Sequence, residues 1–171
     1  MKKAIIIILS ALGTFAAKAQ IPQPDPDTTA KHFIIVASIG NLQEISAGQL
    51  ASQKAKDKDV RSFGQMMVKD HGQTQQKLMQ LAKRKGYNIP PAATSGIQPD
   101  PNLKNTRDNF DGMYVRAMMA GHNNTVQTFE TYATTGKDPD VKAFAQQTLP
   151  TLKAHLAAIQ AIDSRLKRIS K

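Results

Sequence analysis

The sequence predicts an all-α protein: a four-helix bundle built from two antiparallel hairpins joined by a long crossover. Three observations predict it. Apolar residues recur every three or four positions in four long stretches, with no strand-like alternation among them. One connection rich in proline and glycine, residues 86–105, separates the second stretch from the third, and its twenty residues can span a bundle of ~40 Å. The other two connections are short, so stretches one and two, and three and four, are expected to fold back on each other.

The first helix is expected over 29–54, with Phe33, Ala37, Gly40, Glu44, Ala47 and Ala51 on one face. The second, over 59–85, carries Val60, Phe63, Met67, His71, Leu78 and Leu81, and ends in basic residues before Gly86. The third, over 106–135, presents Phe110, Met113, Ala117, His122, Val126 and Phe129, and stops at Gly136. The fourth opens with Asp138 as N-cap and Pro139 at its first position. Its stripe runs Val141, Ala145, Thr148, Leu152, His155, Ile159, Ile162, Leu166, and Pro150 removes one amide donor and is expected to kink it.

Each hairpin's second helix begins with the same phrase. Lys56 to Gln65 (KDKDVRSFGQ) and Lys137 to Gln146 (KDPDVKAFAQ) agree at six of ten positions, at an offset of 81. Two related hairpins with a crossover between them describe a ferritin-like bundle better than a simple up-and-down one.

The domain plan is a leader, a lead-in and the bundle. Residues 1–19 read as a signal peptide: Lys2 and Lys3, an apolar run, then Ala17-Lys18-Ala19 as a cleavage site before Gln20. Residues 20–28 (QIPQPDPDT) form a proline-rich, disordered lead-in, and the bundle occupies 29–171 with 86–105 as crossover loop. A periplasmic or secreted protein is expected, with outer-membrane association compatible and no transmembrane span after cleavage.

Composition narrows the chemistry. With no cysteine, disulfides, thiolate metal sites and cysteine nucleophiles are excluded. The net charge of +10 falls by three once Lys2, Lys3 and Lys18 are removed. The remaining basic surface suits anionic envelope components, or is an ordinary solvated surface. No base-stacking aromatic pattern accompanies it, so nucleic acid is not an expected partner. No nucleophile elbow, phosphate loop, dinucleotide fingerprint or H-E-x-x-H motif is present, and no catalytic residue is assigned.

The informative feature is polar. Of four histidines, His71, His122 and His155 sit one each on helices two, three and four, near mid-helix on the apolar stripe. The first helix supplies Glu44 at the same depth. Mid-helix groups meet in one layer whichever way each helix runs. A buried carboxylate and three imidazoles need each other, water or a metal. Three histidines and one carboxylate are a donor set for a transition-metal ion such as zinc, iron or copper. They can equally form a metal-free charged network.

Met67 and Met118 lie four residues before His71 and His122, where thioethers would suit Cu(I) or simply fill core space. Asp70 adjoins His71 but points ~100° away, to support a ligand histidine or pair with a lysine. Asp111, near the start of the third helix, is expected to favour its dipole.

Taken together, Phe33…Ala37…Glu44…Leu50-Ala51, Val60…Phe63…Met67…Asp70-His71, Phe110-Asp111…Tyr114…His122 and Phe144-Ala145…Leu149-Pro150…His155-Leu156 carry a resemblance. The chain resembles a ferritin-like bacterial envelope family of unknown function, domain of unknown function 4142, often labelled "predicted outer membrane protein". The resemblance implies a four-helix fold and an envelope location, and brings no established activity. In that family an Asp-His pair is common in the third helix, whereas here Gly121 precedes His122. True ferritins carry Glu-x-x-His pairs, but Val68 and Leu152 stand three before His71 and His155, which argues against carboxylate-rich iron storage. Two functions follow: an exported bundle binding a metal ion in a Glu/His layer, or a structural or interaction module with a metal-free polar core acting through its basic surface.

Overall fold

The computed structural model describes residues 26–169. The expected leader, 1–19, and most of the lead-in lie outside the described residues. Four long helices carry the fold: α1 (Pro26–Lys54), α2 (Lys58–Arg84), α4 (Phe110–Thr135) and α5 (Pro139–Ile169). A short helix, α3 (Pro101–Asn105), lies within the crossover, after a single 3-10 turn at Pro91–Ala93. No strand occurs among the described residues. α1 packs along α2 and α4 along α5, while α1 lies beside α4 and α2 beside α5. The protein is thus an all-α bundle of two antiparallel hairpins joined by a long crossover.

Several boundaries differ from the expected ones for local reasons. α1 opens at Pro26, where a proline at the first helical position gives up no hydrogen bond. α4 opens at Phe110, not 106: Asp100 caps α3 by accepting from the amides of Asn102 and Leu103, and Thr106 then turns extended, so the chain must restart. Helix α5 is continuous through Pro150. The buried face of α4 is also rotated from the predicted one. Tyr114, Val115, Met118, His122, Phe129 and Tyr132 are buried and Ala117 is exposed. A step of five from Ala117 to His122 does not keep one face, whereas the four-residue steps Tyr114, Met118, His122 do.

The 81-residue repeat extends to the caps. Asp57 accepts from the amides of Asp59 and Val60, and Asp138 from those of Asp140 and Val141. Each cap is gripped by a cation from a second helix: Arg165 on Asp57, Lys85 on Asp138. Asp111 departs from a purely dipolar role: its carboxylate accepts the amides of Lys56 (3.1 Å) and Asp57 (2.8 Å), tying α4 to the α1–α2 turn. Within the first hairpin the helices nearly touch. A Cβ on Gly48 would fall 2.6 Å from the carbonyl oxygen of Gly64, so the approach requires glycine.

The crossover is fastened at both ends. The ammonium of Lys54 donates to the carbonyls of Lys104 (2.6 Å) and Thr106 (2.9 Å). The hydroxyl of Ser38 donates to the carbonyl of Ala93. The core itself is in two parts. One gathers Phe33, Ile34, Leu78, Leu81, Phe129 and Leu152, and the other Val60, Phe63, Met67, Tyr114, Met118 and Ile159. Along every long helix a polar residue interrupts the stripe between the two parts, and these interruptions lie at one depth.

Candidate metal centre

Between the two apolar clusters lie Glu44 from α1, His71 from α2, His122 from α4 and His155 from α5, each 5% exposed or less. His71 Nε2 stands 2.6 Å and His122 Nε2 3.4 Å from Glu44 Oε2. The three histidines offer one nitrogen each within 4.8 Å of one another. Their rings are 5.3–5.6 Å apart between centroids, and the Phe63 ring lies against His122 and His155, at 6.1 and 6.4 Å.

The outer nitrogens fix how each ring presents itself. His71 Nδ1 is 2.9 Å from Asn41 Oδ1, His122 Nδ1 is 3.0 Å from the carbonyl oxygen of Met118, and His155 Nε2 is 3.0 Å from Asp70 Oδ2. Each partner can only accept, so each of those nitrogens carries the proton and donates. A neutral imidazole then has its lone pair on the other nitrogen. Those nitrogens are His71 Nε2, His122 Nε2 and His155 Nδ1. All three, with Glu44 Oε2, are buried and lack a hydrogen-bond partner. The close approach of His71 Nε2 to Glu44 Oε2 lacks hydrogen-bond alignment, and it is an ion pair only when His71 is protonated. Three buried imidazole nitrogens and a carboxylate oxygen are thus left without a hydrogen-bond partner in one region of the core.

The proton order on His71 is set by a longer chain. Asn41 Nδ2 donates to Gln75 Oε1 (3.3 Å), Gln75 Nε2 donates to Ser38 Oγ (2.6 Å), and Ser38 donates to Ala93 in the crossover. An acceptor-only carbonyl at one end orders every amide and hydroxyl back to the ring. Ser38, Asn41 and Gln75 are all buried.

Burial and charge act against each other at the layer. Burial raises the Glu44 carboxyl, but the contact with His71 and the charges of the three histidines more than offset it and hold it below the usual carboxylate range. Burial pushes His122 down, partly countered by the charge of Glu44. Burial likewise lowers His155, against the contact with Asp70. The phenol of Tyr114, fully buried without a partner, is pushed up by burial and by the charge of Glu44, so it stays protonated.

Of the four residues expected to form the site, the three histidines come together, and Glu44 lies against two of them, His71 and His122. The supporting residues divide. Asp70 turns away from its neighbour His71 and holds His155 on the facing helix. Met118 acts on His122 through its carbonyl, while Met67 packs at the Gly48 contact in the second cluster. His32 is exposed and takes no part. Sequence reasoning passed over Ser38, Asn41, Gln75 and Tyr114. The first two step back from Glu44 by three residues at a time and Gln75 follows His71 by four, so helical spacing marks all three.

No curated protein sequence matches the chain. Among solved structures it is similar to CopM in the Cu(I)-bound form, at 15% identity and a TM-score of 0.68 over 80% of this chain and 96% of that one. It is similar to a DUF305 fragment from Deinococcus radiodurans, at 13% identity and a TM-score of 0.67 over 80% and 95%. A conserved hypothetical protein from Mycobacterium tuberculosis matches at 14% identity and a TM-score of 0.66, over 82% and 94%. At such identities the likeness speaks for the fold alone. The model of the domain of unknown function DUF4142 matches residues 15–162, nearly the whole bundle, and the chain belongs to that family.

Proposed function

We propose that this protein is an exported bundle that binds one transition-metal ion through Glu44 Oε2, His71 Nε2, His122 Nε2 and His155 Nδ1. One observation carries the reading: each imidazole spends its outer N–H on a fixed acceptor and leaves a buried nitrogen without a hydrogen-bond partner, in a group of three histidines close enough together to share one ion. Metal-binding histidines are held in this way, with the second ring nitrogen donating to a carboxylate, amide or backbone oxygen. Such a donor set suits zinc, iron or divalent copper. Copper belongs in the test for a further reason, since CopM is described in Cu(I)- and Cu(II)-bound forms.

The metal-free network is favoured by one contact, the 2.6 Å approach of His71 Nε2 to Glu44 Oε2. A protonated His71 paired with Glu44 would account for it. That pairing leaves His122 Nε2 and His155 Nδ1 buried without a donor, which is costly in an apolar core. A cation answers all four atoms together.

Metal analysis of protein purified without affinity tag or chelator tests the proposal. One equivalent of metal, lost in His71→Ala, is the expected outcome. Export is tested separately: the secreted protein should begin at Gln20, and a mature chain retaining Lys2 and Lys3 would contradict it. No helix among the described residues is long and apolar enough to cross a membrane.

A further inference from the structure

α1 and α4 are parted by a groove of about 790 Å³. Val36, Ile39 and Phe129 line it, Gln98 and Asp100 of the crossover border it, and Glu44 is among its lining residues. A second cavity, by Lys77, Leu81, Asp140 and Phe144, touches none of the four layer residues.

Two glycines border the groove, Gly121 beside the layer and Gly40 one helical turn before Glu44. Gly40 of α1 and Gly121 of α4 stand at matching places in the two hairpins, 81 residues apart. Both are inside long helices, where glycine is less favourable than alanine. At Gly48 the backbone contact explains the glycine. At Gly40 an added Cβ would meet nothing within 4 Å, and at Gly121 it would meet only Glu44 Oε1, at 3.4 Å. Packing requires neither. Gly40 leaves open space in the groove wall, and beside Gly121 lies Glu44, a carboxylate 5% exposed, whose Oε2 lies against His71 and His122 and has no hydrogen-bond partner.

We propose that this groove is the entrance to the layer: a hydrated transition-metal cation reaches Glu44 between Gly40 and Gly121, exchanges water for the carboxylate, and passes to the three histidines behind it. The inference rests on the metal reading but concerns the route. A side chain larger than hydrogen at either glycine narrows the way in without removing a ligand. Entry and exit use one path, so an obstruction slows both and leaves the equilibrium nearly unchanged.

The test follows aqueous Co²⁺ uptake by its visible absorption, and release to a chelator, in the full chain and in Gly40→Leu and Gly121→Leu. Both rates should fall about tenfold or more while Kd changes less than about threefold. Ala120→Leu, on the exposed face of α4, should leave both rates as they are. Should a leucine variant fail to fold, Gly121→Ala and Gly121→Val decide by a graded slowing. Uptake at parental rates in folded variants overturns the entrance and leaves the metal reading intact. A parent that takes up neither Co²⁺, Zn²⁺ nor copper overturns both.

Discussion

Asn41 accepts the Nδ1 proton of His71 across 2.9 Å, and this contact decides which nitrogen of His71 faces the other imidazoles. Asn41 is itself oriented through Gln75 and Ser38 from the carbonyl of Ala93. The crossover, though distant along the chain from Glu44, thereby orients a histidine of the layer.

Removing that acceptor should cost affinity without removing a ligand. Asn41→Leu is expected to weaken metal binding about 10–100-fold, the usual effect of losing a ligand's hydrogen-bond partner. Asn41→Asp, which keeps an acceptor, should retain most of it. Competition titration against a chelator of known affinity measures both, and equal losses in the two variants would refute the orienting role.

Asp70 gives the parallel case for His155. Asp70→Ala should weaken binding by a similar factor, about 10–100-fold, while Asp70→Asn, still able to accept from Nε2, loses less. A loss in Asp70→Ala confined to thermal stability, with affinity unchanged, would assign Asp70 a purely structural part.

The paired caps predict an acid limb. The Asp57 and Asp138 carboxyls are raised by burial, but the contacts with Arg165 and Lys85 and with the cap amides outweigh it, so both lie below the ordinary aspartate value. Above the unfolded value both states are ionised and the stabilisation is complete. As pH falls below about 3.9 the unfolded chain takes up protons first, and stability drops until the folded carboxyls are protonated too. Asp57→Ala or Asp138→Ala should each cost about 0.5–2 kcal/mol near neutral pH and flatten that limb. Urea melts across the acid range measure it.

Glycines sort by neighbours. Gly48→Ala drives a Cβ onto the backbone of α2 and should destabilise by about 1–3 kcal/mol. Gly40→Ala, facing open space, should stabilise by roughly 0.5–1 kcal/mol. Thermal melts that rank the two the other way would contradict the close approach of α1 and α2 at Gly48 and Gly64.

The depth of Glu44, His71, His122 and His155 was legible because mid-helix positions meet at mid-bundle under any topology. The repeat at Asp57 and Asp138 was legible because caps have a local code. The face of α4 was misjudged at Ala117, where small residues fit either side of a stripe and spacing alone does not choose. Which nitrogen each ring offers was not legible: His155 presents Nδ1 where the others present Nε2, and that depends on rotamers and on partners such as Asp70 from another helix. Nor could spacing reveal the groove at Gly40 and Gly121, since a missing side chain leaves no periodic signal.

The central claim is that the layer holds a metal ion, and isothermal titration of the tag-free, chelator-free protein with Zn²⁺ and with copper tests it most directly. Binding of one ion per chain, abolished by His71→Ala and accompanied by a rise in melting temperature of the parent, is the expected result. No heat and no thermal shift with any of these ions, while each single substitution in the layer still destabilises the fold, would contradict it and leave a metal-free polar core.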